Sequence, residues 1–127
     1  MFAVSVNDTA EIVVSGKTKS MRFALDASGM NPLEAFYATL AGCAAVYAKK
    51  ACKELGISAE GISVKCRPMA GKAGPLSLGR FETELTFGIG FTDAQVEKIT
   101  EAVQHCAVKE VVKAGATVEF VVSVARA

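Results

Sequence analysis

A chain of 127 residues, 51% of them hydrophobic, suits one domain over residues 1–127 with a core of its own. With 14 basic and 13 acidic residues the net charge is +1, and Lys17, Lys19 and Arg22 are too few to build a phosphate-binding face, so nucleic acid is not an expected partner. The apolar run over residues 33–48 is broken by Glu34, Thr39 and Gly42, too short and interrupted to span a bilayer, and residues 1–11 lack the pattern of a signal peptide, which makes the cytoplasm the expected compartment.

A mean hydropathy of +0.34 is high for a small soluble monomer. Surplus apolar surface in small domains often ends in a subunit interface, a first argument for a homo-oligomer. The four cysteines are Cys43, Cys52, Cys66 and Cys106, and the one histidine is His105. A reducing compartment keeps structural thiols free. No C-x-x-C pair is present, so the close paired ligands of a zinc site are missing and no metal is expected.

In chain order, residues 2–6 are short and β-prone, and Asn7-Asp8 marks a turn. Residues 11–14 form a second strand, closed by Ser15-Gly16. Residues 21–25 form a third, with Met21, Phe23 and Leu25 on one face and Arg22 on the other. A long helix follows. Asn31 is an N-cap, Pro32 suits the first helical position, and Glu34 completes a capping box. Helix formers continue to Leu55, and Gly56 supplies the stop. Leu33, Phe36, Leu40, Cys43 and Tyr47 fall on one stripe at helical spacing. Cys52 lies on the opposite side. Lys49, Lys50 and Lys53 load the last turns, where positive charge suits the helix dipole.

Ile62, Val64 and Cys66 then alternate with Ser63, Lys65 and Arg67 as a strand. Phe81, Leu85, Phe87, Ile89 and Phe91 alternate as another. Residues 69–79, with three glycines and Pro75, read as a flexible hairpin loop. Thr92 and Gln95 form a second capping box for a helix whose apolar face is Val96, Ile99 and Val103, with Cys106 near its edge. Residues 108–113 continue or restart that helix, Gly115 ends it, and residues 117–125 form a last strand. The order is β-β-β-α-β-β-α-β, an α+β fold with a long helix packed across a curved antiparallel sheet.

The stretch Asn31-Pro32-Leu33-Glu34-Ala35-Phe36, continuing to Ala41-Gly42-Cys43, resembles the signature of the OsmC/Ohr family (osmotically induced protein C and organic hydroperoxide resistance protein). That family places an Asn/Ser-Pro-x-Glu start several turns before a cysteine on its central helix. Gln104-His105-Cys106-Ala107-Val108 resembles its later Cys-Pro-Val segment, with Ala107 in place of proline. The resemblance implies an intertwined homodimer with two sites at the subunit interface. It also implies reduction of organic hydroperoxides without flavin, haem or metal, reset by an external dithiol. Cys43 would be the peroxidatic cysteine and Cys106 the resolving one. The family's peroxidases carry an arginine in an N-terminal loop. This chain has none before Arg22, which stands on a strand, with Lys17 and Lys19 as other substitutes. Their glutamate stands one residue earlier than Glu34, where this chain has Leu33.

The chemistry needs a thiolate, since the ordinary thiol near pKa 8.5 is only a few per cent ionised at neutral pH. Each residue has a plainer reading beside the functional one. Cys43 and Cys106 are equally suited to be small core residues. Glu34 can be a cap and nothing more, and His105 a solvated helix-end side chain. Phe36, Leu40 and Tyr47 can be core or pocket wall. Cys52 and Cys66 read as bystanders. Two other functions stay open: a non-catalytic dimer of this fold that binds an apolar small molecule, and a stress-related interaction protein.

Overall fold

The computed structural model describes residues 1–72 and 74–125, in seven elements: β1 (Glu11–Ser15), β2 (Ser20–Ala24), α1 (Pro32–Leu55), β3 (Ile62–Gly71), β4 (Gly74–Phe87), α2 (Asp93–Gln104) and α3 (Ala107–Ala114). The strands form two separate two-stranded sheets, β1 with β2 and β3 with β4. The α+β class expected from the sequence holds. The single curved sheet does not: among the described residues it is two hairpins. The chain divides into two compact units, Met1–Gly42 with Val64–Leu85, and Cys43–Ser63 with Thr86–Ala127.

In the first unit β1 and β2 pair antiparallel, Glu11 opposite Ala24 and Val13 opposite Arg22. The Gly16 amide donates to the Lys19 carbonyl at 2.7 Å to close the turn. A Cβ on Gly16 would stand 2.7 Å from the Phe2 ring, so any larger residue there would have to displace that ring. The expected first strand over residues 2–6 reduces to one bridge, in which Ala3 and Ser15 exchange two 2.9 Å bonds. One residue pair holds it because Asn7 turns the chain away, accepting from the amide and hydroxyl of Thr9. Within the β1–β2 hairpin Met21 and Leu25 are exposed and Ala24 is the buried residue, against the face expected to turn inward.

Helix α1 starts as the sequence indicates. The Glu34 amide donates to Asn31 Oδ1 at 2.9 Å and the Asn31 amide to Glu34 Oε1 at 3.1 Å, so both halves of the capping box form. It ends at Gly56, whose φ of 69° is open to glycine at no steric cost. The Ile57 amide reaches back to the Cys52 carbonyl at 3.0 Å. The buried face differs from the expected stripe. It is Leu40, Ala44, Ala48, Ala51 and Cys52, while Leu33 and Phe36 are each 43% exposed. Small side chains let neighbouring backbone come close, and a reading weighted to large residues passes over them. Cys52, expected off the apolar stripe, is 1% exposed.

The expected loop over residues 69–79 is mostly strand: β3 runs to Gly71 and β4 starts at Gly74, with Ala73 outside the described residues. Strands joined by so short a connection must run antiparallel. Outward Arg67 links them on the exposed face, 3.5 Å from Glu82 and 2.9 Å from Glu84. In the second unit β4 stops at Phe87, short of the expected Phe91. The Gly88 amide donates to the Gly61 carbonyl at 2.8 Å, and Gly90 at φ 105° turns the chain. Phe91 folds back edge-on to Phe87, ring centroids 5.4 Å apart, while Ile89 is left exposed.

The Thr92–Gln95 capping box opens α2, and Ile99 and Val103 are buried on its apolar face as expected. The helix then breaks and restarts as α3, which Gly115 ends in the left-handed region. Residues 117–125, expected to be a strand, pair with nothing among the described residues. Their side chains stay exposed, Phe120 by 90% and Val121 by 91%. A β-prone sequence makes a strand only when a partner accepts its backbone bonds.

Candidate functional site around Cys43 and Cys106

Both cysteines of the two sequence signatures lie in the second unit. Cys43 is on α1, half-buried, one residue before the buried Ala44. Cys106 is 2% exposed and is the N-cap of α3, with φ −66° and ψ 146°. The break between α2 and α3 makes this position. The His105 amide closes α2 on the Ala102 and Val103 carbonyls, the Cys106 amide bonds Val103 at 3.2 Å, and the Cys106 carbonyl accepts from the Glu110 amide at 3.0 Å. Both thiols are free, and Cys43 is close enough to act on the ionisation of Cys106.

Burial is the first cause that pushes the Cys106 thiol above its ordinary pKa. The Lys109 backbone amide works against it. That contact is looser than a formed cap bond, so α3 has no side-chain cap at Cys106. The neighbouring Cys43 thiol raises the pKa further, since a second thiolate would meet a first. The Lys109 charge lowers it. Burial also pushes Cys52 up. Cys52 and Cys106 are thus favoured as neutral thiols, while the half-exposed Cys43 is the member of the pair that solvent and a small molecule can reach.

The other residues singled out by sequence are differently placed. Arg22 pairs with Glu11 across the β1–β2 hairpin, both side chains more than half exposed. Its charge is spent there, and a pair so open to water adds little stability. Glu34 is exposed and engaged in the α1 cap. Phe36 meets Phe81 of β4 with centroids 5.5 Å apart, and Leu40 is buried, both in the first unit. Tyr47 lies one turn beyond Cys43, with the Lys50 ammonium 5.0 Å over its ring. His105 is 74% exposed, its Nδ1 3.5 Å from Glu110 Oε1. Cys66 is half-buried on β3 in the first unit. Lys109 was not singled out by sequence. The available signal was its spacing, third after a residue that could cap a restarted helix.

The comparisons with known proteins agree with this architecture. Residues 25–121 match the family described as OsmC-like protein, and the chain belongs to that family. Among solved structures it is similar to an OsmC-like protein from Mycoplasma pneumoniae, with a TM-score of 0.73, 13% identity, and 91% of this chain and 87% of the other covered. It is also similar to a hypothetical protein from Aquifex aeolicus VF5, with a TM-score of 0.66, 14% identity, and coverage of 91% and 87%. An OsmC-like hydroperoxide resistance protein from Jannaschia sp. CCS1 aligns with a TM-score of 0.62, 23% identity, and coverage of 95% and 89%. At these identities the likeness shows a shared fold. No curated protein matches. Among the described residues, no helix is long and apolar enough to cross a membrane.

Two outcomes follow from the site's geometry. Ala107 is the first residue of α3, and Cys106 before it has the extended ψ that a following proline demands. Ala107→Pro should therefore raise stability by about 0.4–1 kcal/mol by restricting the unfolded chain, read from the urea midpoint; a loss of stability would mean that Ala107 cannot take a proline φ. The raised thiols give a pH signature. A thiol held neutral in the fold binds its proton more tightly folded than unfolded. Its contribution is complete below the unfolded pKa, about 8.5, and is lost as pH rises through the folded value. Urea midpoints should fall between pH 7.5 and 10, and fall less in Cys106→Ala; an identical slope in that variant would show that Cys106 is not held neutral.

Proposed function

We propose that this chain is a thiol-dependent peroxidase that reduces organic hydroperoxides, with Cys43 as the attacking cysteine and Cys106 as the resolving one. The observation that carries this reading is the pair itself: an accessible thiol on α1 beside a buried thiol at the start of α3, both reduced. The hydroperoxide resistance protein from Jannaschia supports the substrate class. The Cys43 thiolate attacks the terminal peroxide oxygen, the O–O bond breaks, and the alkoxide leaves as the alcohol after taking a proton. Cys43 is then a sulfenic acid. The Cys106 thiolate attacks its sulfur, the S–S bond forms, the S–O bond breaks, and the hydroxide leaves as water on taking a proton. An external dithiol returns both sulfurs to thiols by exchange, donating two electrons. No step calls for a metal or an organic cofactor. A cytoplasmic setting would supply such a dithiol.

The working unit in this reading is a homodimer. What supports it is apolar surface that one copy leaves uncovered. Helix α3 buries none of its residues, with Val111 and Val112 exposed, and residues 117–125 carry exposed Val118, Phe120, Val121, Val122 and Val124 with no strand partner. An unpaired apolar strand is a ready edge for a second chain.

Purified reduced protein treated with cumene hydroperoxide should lose two of its four thiols per chain, regain them with dithiothreitol, and lose no such pair in Cys43→Ser. An unchanged thiol count under excess hydroperoxide would reject the peroxidase reading and leave the non-catalytic dimer that binds an apolar small molecule, or the stress-related interaction protein. Sedimentation at micromolar concentration should give the mass of two chains; a single-chain mass would reject the dimer.

A further inference from the structure

The junction that carries Cys106 is braced in a way that neither sequence signature accounts for. The Lys109 ammonium donates to the Gln104 carbonyl at 2.7 Å. Gln104 is the last residue of α2 and Lys109 the third of α3, so one side chain ties the end of one helix to the first turn of the next. The bond satisfies a terminal carbonyl that the helix itself leaves unpaired. Lys109 is half-buried, so its charge is only partly screened by water. Its backbone amide is on the side of the Cys106 sulfur. Lys109 thus acts at the junction through both its side chain and its backbone amide.

We propose that Lys109 is a positioning residue for the resolving step: tied to the Gln104 carbonyl, it holds the α2–α3 junction and presents a positive charge and a backbone N–H to the Cys106 sulfur as that sulfur attacks Cys43. The inference rests on the peroxidase reading above. Resolution needs an anion at a buried sulfur, and burial opposes that anion. A fixed cation and a helix N-terminal amide, both from one residue, offset the opposition where it arises. The groups that act on Cys106 are Cys43 from α1 and Lys109 from α3. His105 of the junction and Glu110 of α3 face each other at 3.5 Å near the site. The step balances as written above: Cys106 gives its proton to water, its sulfur forms the S–S bond, and the S–O bond of the Cys43 sulfenic acid breaks to release water.

The test is a single turnover with one equivalent of cumene hydroperoxide, with sulfenic acid trapped by a dimedone reagent and disulfide followed by intact mass. In Lys109→Met, Cys43 sulfenic acid should form at the wild-type rate. Disulfide formation should slow about tenfold at pH 7, and its pH midpoint should rise by about one unit, the same tenfold expressed as thiolate fraction. Lys109→Arg, which keeps the charge and a donor, should recover the wild-type profile. Disulfide formation in wild-type protein at different salt concentrations gives a second reading that leaves Lys109 in place. Its pH midpoint should rise between 10 mM and 1 M salt as the cation is screened. An unmoved pH midpoint in folded Lys109→Met, an arginine variant as slow as the methionine one, or a salt-independent midpoint for disulfide formation overturns the role of Lys109. Wild-type protein that forms no sulfenic acid or disulfide overturns the peroxidase reading instead.

Discussion

The site around Cys106 depends on a helix that is interrupted between His105 and Ala107. Had α2 run on unbroken, Cys106 would be one more helical position. The break makes it an N-cap, where the backbone is extended and the side chain turns toward the amides of the next helix. That single change of backbone direction puts Cys106 beside Cys43 of α1 and seals it from solvent. The capping box of α2, the left-handed Gly115 and the Lys109 and His105 contacts all serve to fix where that interruption falls.

The pair is unequal, and the inequality has chemical use. In the proposed peroxidase a peroxide must reach one sulfur, while the second need only reach the first. Placing the accessible thiol mid-helix and the buried one at a helix start separates these requirements. Burial favours the neutral Cys106 thiol. The same burial makes its ionisation costly, so the surroundings must supply compensation close by. In the proposed mechanism Lys109 is the charged group that does so, whereas Arg22, one of the substitute cations beside Lys17 and Lys19, is engaged with Glu11.

What could be read from residues alone depended on how local the cause was. Capping boxes at Asn31–Glu34 and Thr92–Gln95 and the stops at Gly56 and Gly115 are decided within a few residues, and all four form. Period-two alternation placed the inward residues of β3, and period 3.6 placed Ile99 and Val103. The failures involve partners. Residues 2–6 and 117–125 have strand composition, but a ladder requires a neighbouring edge, and composition does not say where that edge is. The buried face of α1 was misjudged because its contacts are made through alanines and Cys52, which carry little hydrophobic weight in a pattern but permit close approach. At the site, two cysteine motifs were visible, whereas the N-cap position of Cys106 and the Lys109 contact with Gln104 depend on the α2–α3 break.

The replacement of proline by Ala107 ties these points together. Proline at a first helical position holds its own φ and bars an upstream helix from running through, since it lacks the amide that such a helix would use. Alanine does neither, and is the best of all residues at continuing a helix. A chain with alanine there must stop α2 by other means or lose the site. The stop is made by contacts across the junction: the His105 amide turned onto Ala102 and Val103, the His105–Glu110 pair, and the Lys109 ammonium on the Gln104 carbonyl. A constraint that a proline would carry in one ring is distributed over three side chains. One of them, Lys109, is also the residue proposed to bring charge to the buried thiol, so in that reading the interruption of the helix and the electrostatics of the sulfur depend on the same residue.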